Sequence, residues 1–141
     1  MRRRGDRKLI VLAVAAGLLL AAGHGRIGPV RAAASAGSGS SNEQLANSMA
    51  ASGYGWTGSE TTCLDELWTH ENASWDPAQW NLGGSGAYGI PQALPASKMA
   101  AAGADYMTSP ATQIRWGLGY VKDTYGTPCG AWAHETNKGW Y

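Results

Sequence analysis

The chain predicts a small, mainly α-helical domain closed by one disulfide, and three observations carry that prediction. Helix starts and stops are written in capping residues. No stretch of useful length alternates apolar and polar residues as a half-buried strand does. Two cysteines stand far apart in a region that reads as exported.

Export is read from the first residues. Met1–Lys8 is a basic start and Leu9–Gly23 is an unbroken apolar run of fifteen residues. That length fits the core of a signal peptide and falls short of the roughly 20 residues needed to span a bilayer. The small-residue patch at 31–36 offers an Ala-x-Ala cleavage site, so residues 1–36 are expected to be a signal peptide. An uncleaved anchor is the alternative, because Arg26 and Arg31 follow the apolar run. Residues 37–42, rich in glycine and serine, read as a flexible linker, and 43–141 as the domain.

Within that domain, Ser41-Asn42-Glu43-Gln44 reads as a capping box opening a helix with Leu45 and Met49 on its apolar face, ending near Gly53. A second box, Thr57-Gly58-Ser59-Glu60, opens a helix running toward Glu71. Asp76-Pro77 and Gly83-Gly84-Ser85-Gly86 mark a long turn-rich segment, and a short helix is expected from Pro95 to Gly103. The last strong helix begins at Thr108-Ser109-Pro110, carries Ile114, Leu118 and Val121 as its stripe, and stops at Gly126. Gly117 and Gly119 inside it cost roughly 1 kcal/mol each against alanine, which implies a close approach or a helix crossing.

From Gly37 onward four basic residues (Lys98, Arg115, Lys122, Lys138) stand against nine acidic ones, a net charge of −5. Such a surface lacks the basic footprint of a nucleic-acid binder. All seven tryptophans and all six tyrosines lie in this part, with no phenylalanine. Most of these rings are expected to fill the core, and the rest suit stacking on sugars. In an oxidising compartment Cys63 and Cys129 are expected to pair. The alternative is zinc held by Cys63, His70, Cys129 and His134, at spacings that match no common zinc pattern.

Glu71 is the candidate catalytic residue. At about 100° per residue, with Leu64 at zero, Leu67 falls near 300°, Trp68 near 40° and Glu71 near 340°. Asp65 and Glu66 turn away from that stripe, so of these three neighbouring acids only Glu71 is aimed at the core side. A carboxyl in apolar surroundings holds its proton more tightly, as an acid that must protonate a departing sugar oxygen requires. Asp76 is the only nearby candidate for a second carboxylate, and its place before Pro77 suits a turn better.

Leu67-Trp68-Thr69-His70-Glu71, then Trp75-Asp76-Pro77, then Gly86-Ala87-Tyr88-Gly89-Ile90-Pro91-Gln92-Ala93-Leu94-Pro95 resemble the soluble lytic transglycosylase-like domains of secreted bacterial proteins. Pro128-Cys129-Gly130-Ala131-Trp132 and Gly139-Trp140-Tyr141 look like the actinobacterial branch. The resemblance covers residues 43–141. Asn72 stands where the family usually has serine, and Trp75 follows the glutamate by four positions where three is usual.

The resemblance implies a lysozyme-like fold with a peptidoglycan cleft, in which Glu71 acts as acid and then as base. Gln92 and the Gly86–Gly89 backbone (Gly86, Ala87, Tyr88, Gly89) would line that cleft, with Tyr88, Trp75 and Trp132 as sugar contacts. It implies a secreted or wall-bound monomer acting on glycan strands, with no cofactor or metal. The alternatives are a non-catalytic peptidoglycan-binding module and a lysozyme-type hydrolase on the same fold.

Overall fold

The computed structural model describes residues 34–141, with side chains described from residue 41. The expected export segment lies outside the described residues, except for its last three, which begin the first helix. The domain is mainly α-helical and carries the Cys63–Cys129 disulfide. Its helices are α1 (Ala34–Tyr54), α2 (Ser59–Glu71), a 3-10 segment (Ala96–Ala101), α3 (Pro110–Tyr125) and α4 (Pro128–Lys138). No helix among the described residues is long and apolar enough to cross a membrane.

α1 starts seven residues before Ser41, so the expected linker is helical and Ser41 is not its cap. Nucleation is the costly step of helix formation, and a docked segment extends cheaply into poor helix formers. Ala46 and Ala50 are the fully buried positions of α1, with Met49 packed beside them, whereas Leu45 is exposed. Asn42 donates from Nδ2 to the carbonyl of Trp75 at 2.9 Å, tying the helix to the loop that follows α2.

The second expected capping box does not form. Gly58, at φ 59°, is the N-cap of α2 and no side chain caps it. Glu60 instead reaches across to α4, where its Oε2 accepts from the Cys129 backbone N–H at 2.9 Å. That bond satisfies one of the orphan backbone donors at the start of α4. Beside it, the disulfide spans 66 residues of sequence and fastens α4 along α2.

α3 follows its sequence closely. Ser109 caps it by accepting from Thr112 N–H, Pro110 occupies its first turn, and Gly126 at φ 81° ends it. Ile114, Leu118 and Val121 are buried against Leu64, Leu67 and Trp68 of α2. Gly117 is explained by close approach: a Cβ there would meet Trp68 Cζ2 at 2.6 Å and Pro91 Cβ at 3.0 Å. Gly117→Val is therefore expected to destabilise the fold by about 1–3 kcal/mol, seen as a fall in Tm on thermal melting. An unchanged Tm would mean that the Trp68 ring moves aside freely.

α4 has no counterpart among the elements expected from sequence. Thr127 caps it by accepting from Gly130 N–H, Pro128 fills its first position, and Gly139 closes it in a left-handed conformation. Its inward positions are Pro128, Ala131 and Glu135. The segment between α2 and the 3-10 turn is irregular, with isolated antiparallel bridges pairing Trp80 to Tyr88 and Tyr88 to Ala93. A second, smaller cluster of Tyr88, Ala93, Ala96 and Met99 lies under it, with Trp116 packed against its side.

Candidate active site

Glu71 ends α2 at the wall of a cleft of about 330 Å³. Asn81, Ser85, Ala87, Gln92 and Leu94 contribute from the irregular segment. Gly139, Trp140 and Tyr141 contribute from the residues after α4. Of the residues expected to act together, Glu71, Ala87 and Gln92 meet here.

The α2 helix stops at Glu71 because Asn72 leaves helical geometry, at φ −148° and ψ 85°. Asn72 is fully buried and joins two loops. Its Nδ2 donates to the carbonyls of Asp76 at 2.8 Å and Gly89 at 3.1 Å. Its Oδ1 accepts from the Ser74 hydroxyl at 2.9 Å and from the Asp76 N–H at 3.3 Å. The Asn72 amide thus fixes the four-residue step from Glu71 to Trp75 and locks that step to the glycine-rich loop.

The glycine-rich loop is held from behind by Gln113, a buried amide on α3. Its Oε1 accepts from Ile90 N–H at 2.9 Å, and its Nε2 donates to the carbonyls of Pro77 and Tyr106, both at 2.8 Å. Gly89, at φ 77°, is required there, since a Cβ would lie 2.5 Å from Gln113 Oε1. Gln92 itself sits at φ 48° and donates from Nε2 to the Gly89 carbonyl at 2.9 Å.

Several expected substrate contacts lie elsewhere. Trp75 is 3 % exposed, packs edge-on against Trp68, and donates from Nε1 to Thr69 Oγ1, so it is a core residue. Trp75 itself holds a positive φ of 52°. Tyr88 is also buried, its hydroxyl donating to the Met107 carbonyl at 2.6 Å. Gly86 and Gly89 shape the loop backbone without lining the cleft, and Trp132 packs edge-on against His70 outside it. The aromatic groups of the cleft are instead Trp140, which is 60 % exposed, and Tyr141, whose hydroxyl donates to the Pro91 carbonyl at 2.7 Å.

The second carboxylate beside Glu71 is Glu135 of α4, not Asp76. Asp76 Oδ1 accepts from Ala78 N–H at 2.8 Å and serves the turn. Glu135 is 4 % exposed, with Oε1 3.5 Å from His70 Nε2 and no partner for Oε2. Burial first, then the Glu135 charge, raise the Glu71 pKa to about 7, against a lowering by His70. Burial and the Glu71 charge also push the Tyr141 phenol well up, so it remains a donor in the working range. Glu71 is therefore a carboxyl that both holds and releases its proton near neutrality.

Replacing Glu135 by glutamine removes the negative charge and is expected to lower the Glu71 pKa, as followed by NMR titration of its carboxyl carbon. An unmoved titration would show that burial alone sets it. Among the described residues no cluster of histidine, cysteine, aspartate and glutamate could hold a metal ion. Cys63 and Cys129 are bonded to one another, at 2.12 Å between sulfurs. Comparison of the chain with protein-family models, with curated proteins and with solved structures returned no match.

Proposed function

We propose that this protein is a secreted lytic transglycosylase that cleaves the bond between N-acetylmuramic acid and N-acetylglucosamine in peptidoglycan, using Glu71 as its acid and base. The observation that carries this reading is Glu71 itself: a carboxyl with a pKa of about 7 at the wall of a cleft. The cleft's other walls offer amides, a serine and the exposed Trp140 ring, which suit an uncharged sugar. The disulfide is compatible with an oxidising extracellular compartment.

In this mechanism protonated Glu71 gives its proton to the glycosidic oxygen as the bond from muramic acid C1 to that oxygen breaks. The Glu71 carboxylate then takes the proton of the C6 hydroxyl as that oxygen bonds to C1. The result is a 1,6-anhydro sugar and no water is consumed. Glycosidases with two carboxylates place them across the scissile bond, about 5 to 9.5 Å apart. The Glu135 charge instead favours the protonated form of Glu71, which suits a one-acid route.

Digestion of purified cell walls followed by mass spectrometry of the soluble fragments tests the proposal. Anhydro-ended muropeptides are the expected product. Fragments heavier by one water would indicate a hydrolase. Walls that bind the protein and release nothing would indicate a binding module.

A further inference from the structure

The cleft at Glu71 does not stop at its own walls. Gln92, Leu94 and Tyr141 also line a narrow neck of about 80 Å³, which Lys98 enters from the 3-10 segment. Trp116 and Tyr120 close the far side of that neck and, in turn, line a wider depression of about 440 Å³. A single groove thus runs from the acid, past Leu94 and Tyr141, to the two rings on α3.

Those two rings form a stacked pair. Trp116 and Tyr120 stand one helical turn apart and stack with an interplanar angle of 9° and centroids 5.3 Å apart. Each is only half-buried. Trp116 rests one side against the small cluster of Tyr88 and Met99, so its ring is held in place while part of it stays open. Arg115 and Asp123 border the depression and provide donors and acceptors at its rim. A partly open aromatic pair held in place and edged by polar groups suits the apolar face and hydroxyl rim of a sugar ring.

Charge gives a second indication. Four basic residues follow residue 36, and Lys98 and Arg115, two of them, line this groove. In a region of net charge −5, Lys98 is the charged residue lining the neck, and it offers a cationic partner to a carboxylate-bearing substituent.

We propose that Trp116 and Tyr120 form a distal sugar-binding subsite, so that the groove takes a polymeric, carboxylate-bearing glycan strand rather than a short fragment. The proposal rests on the reading of the Glu71 cleft as a glycan site. It adds the direction in which the strand leaves the acid, over Leu94 and Tyr141 toward α3.

Binding of a chitin trimer and a chitin hexamer to the Glu71→Gln protein, measured by titration calorimetry, tests it without turnover. The hexamer is expected to bind roughly three- to tenfold more tightly than the trimer. Trp116→Leu, which keeps apolar bulk against the small cluster, is expected to bring the ratio of the two Kd values toward unity. A length advantage that survives Trp116→Leu, or no length advantage at all, overturns the proposal. Should Trp116→Leu fail to give a cooperative thermal melt, Tyr120→Ala decides by the same ratio. Uncut walls together with a length advantage that depends on Trp116 would remove the catalytic reading and leave the subsite standing. Walls cut to anhydro products without any length advantage would do the reverse.

Discussion

Glu71→Gln is expected to cut muropeptide release from purified walls by about a thousandfold, the middle of the range that one general acid contributes. Glutamine keeps the size and burial of the side chain but carries no transferable proton. The same variant has a second readout. The folded-state pKa of Glu71 stands at about 7, above the usual 4.5. The stability this proton contributes is complete below pH 4.5 and is lost as pH rises through 7. At pH 8 the wild-type carboxylate is charged beside Glu135 and only partly solvated. Glu71→Gln is then expected to be more stable than wild type by on the order of 1 to 2 kcal/mol, after allowing for solvent screening. At pH 4 the advantage should vanish. A variant with wild-type activity ends the assignment of Glu71, and equal melting temperatures at both pH values would mean that the acid is not strained.

Reducing the disulfide should have a larger effect on stability. A closed loop of 66 residues corresponds to about 4 kcal/mol in the chain-entropy account. For a domain near 100 residues this is a fall in Tm on the order of 15 °C or more, read by thermal melting with and without a thiol reductant. The bridge joins α2 near its first turn to the second residue of α4, where Glu60 also caps the helix. Opening it should loosen α4 and with it the position of Glu135. A second consequence follows, that the Glu71 titration moves down in the reduced protein under conditions where it remains folded. A reduced protein with unchanged Tm would show that α2 and α4 hold together by packing alone.

What the sequence displayed, and what it hid, follows from where each signal is stored. α3 was legible because its cap, proline, apolar stripe and terminal glycine are all local. α4 carries the same Thr-Pro start and glycine stop. It was missed because one of its inward positions, Glu135, is charged and reads as solvent-facing. Glu60 matched a local capping box, yet its carboxylate caps a helix 69 residues away, and no local pattern distinguishes the two uses. The same limit applies at the site. Glu71, Ala87 and Gln92, which line one cleft, were legible through periodicity and the resemblance. Asn72 and Gln113 were not, since both act through backbone carbonyls brought near only by folding. Gln113 lies four residues before the buried Gly117, and that spacing could have placed its amide on the inner face of α3. Trp75 is the opposite case: the motif suggests a sugar contact, whereas the ring is buried in the core.

The buried amide of Asn72 bears on how the protein can be produced. Asn72-Ala73-Ser74 is an acceptor sequence for N-linked carbohydrate. The nitrogen that would carry the oligosaccharide is the one that donates to both Asp76 and Gly89. A eukaryotic secretion host can modify that nitrogen while the chain is still unfolded. A chain so modified could not close the loop over the buried site, whereas a folded chain offers no access to it. Material from such a host should therefore divide into an unmodified folded fraction and a modified misfolded one, separable by lectin capture. A bacterial host avoids the division.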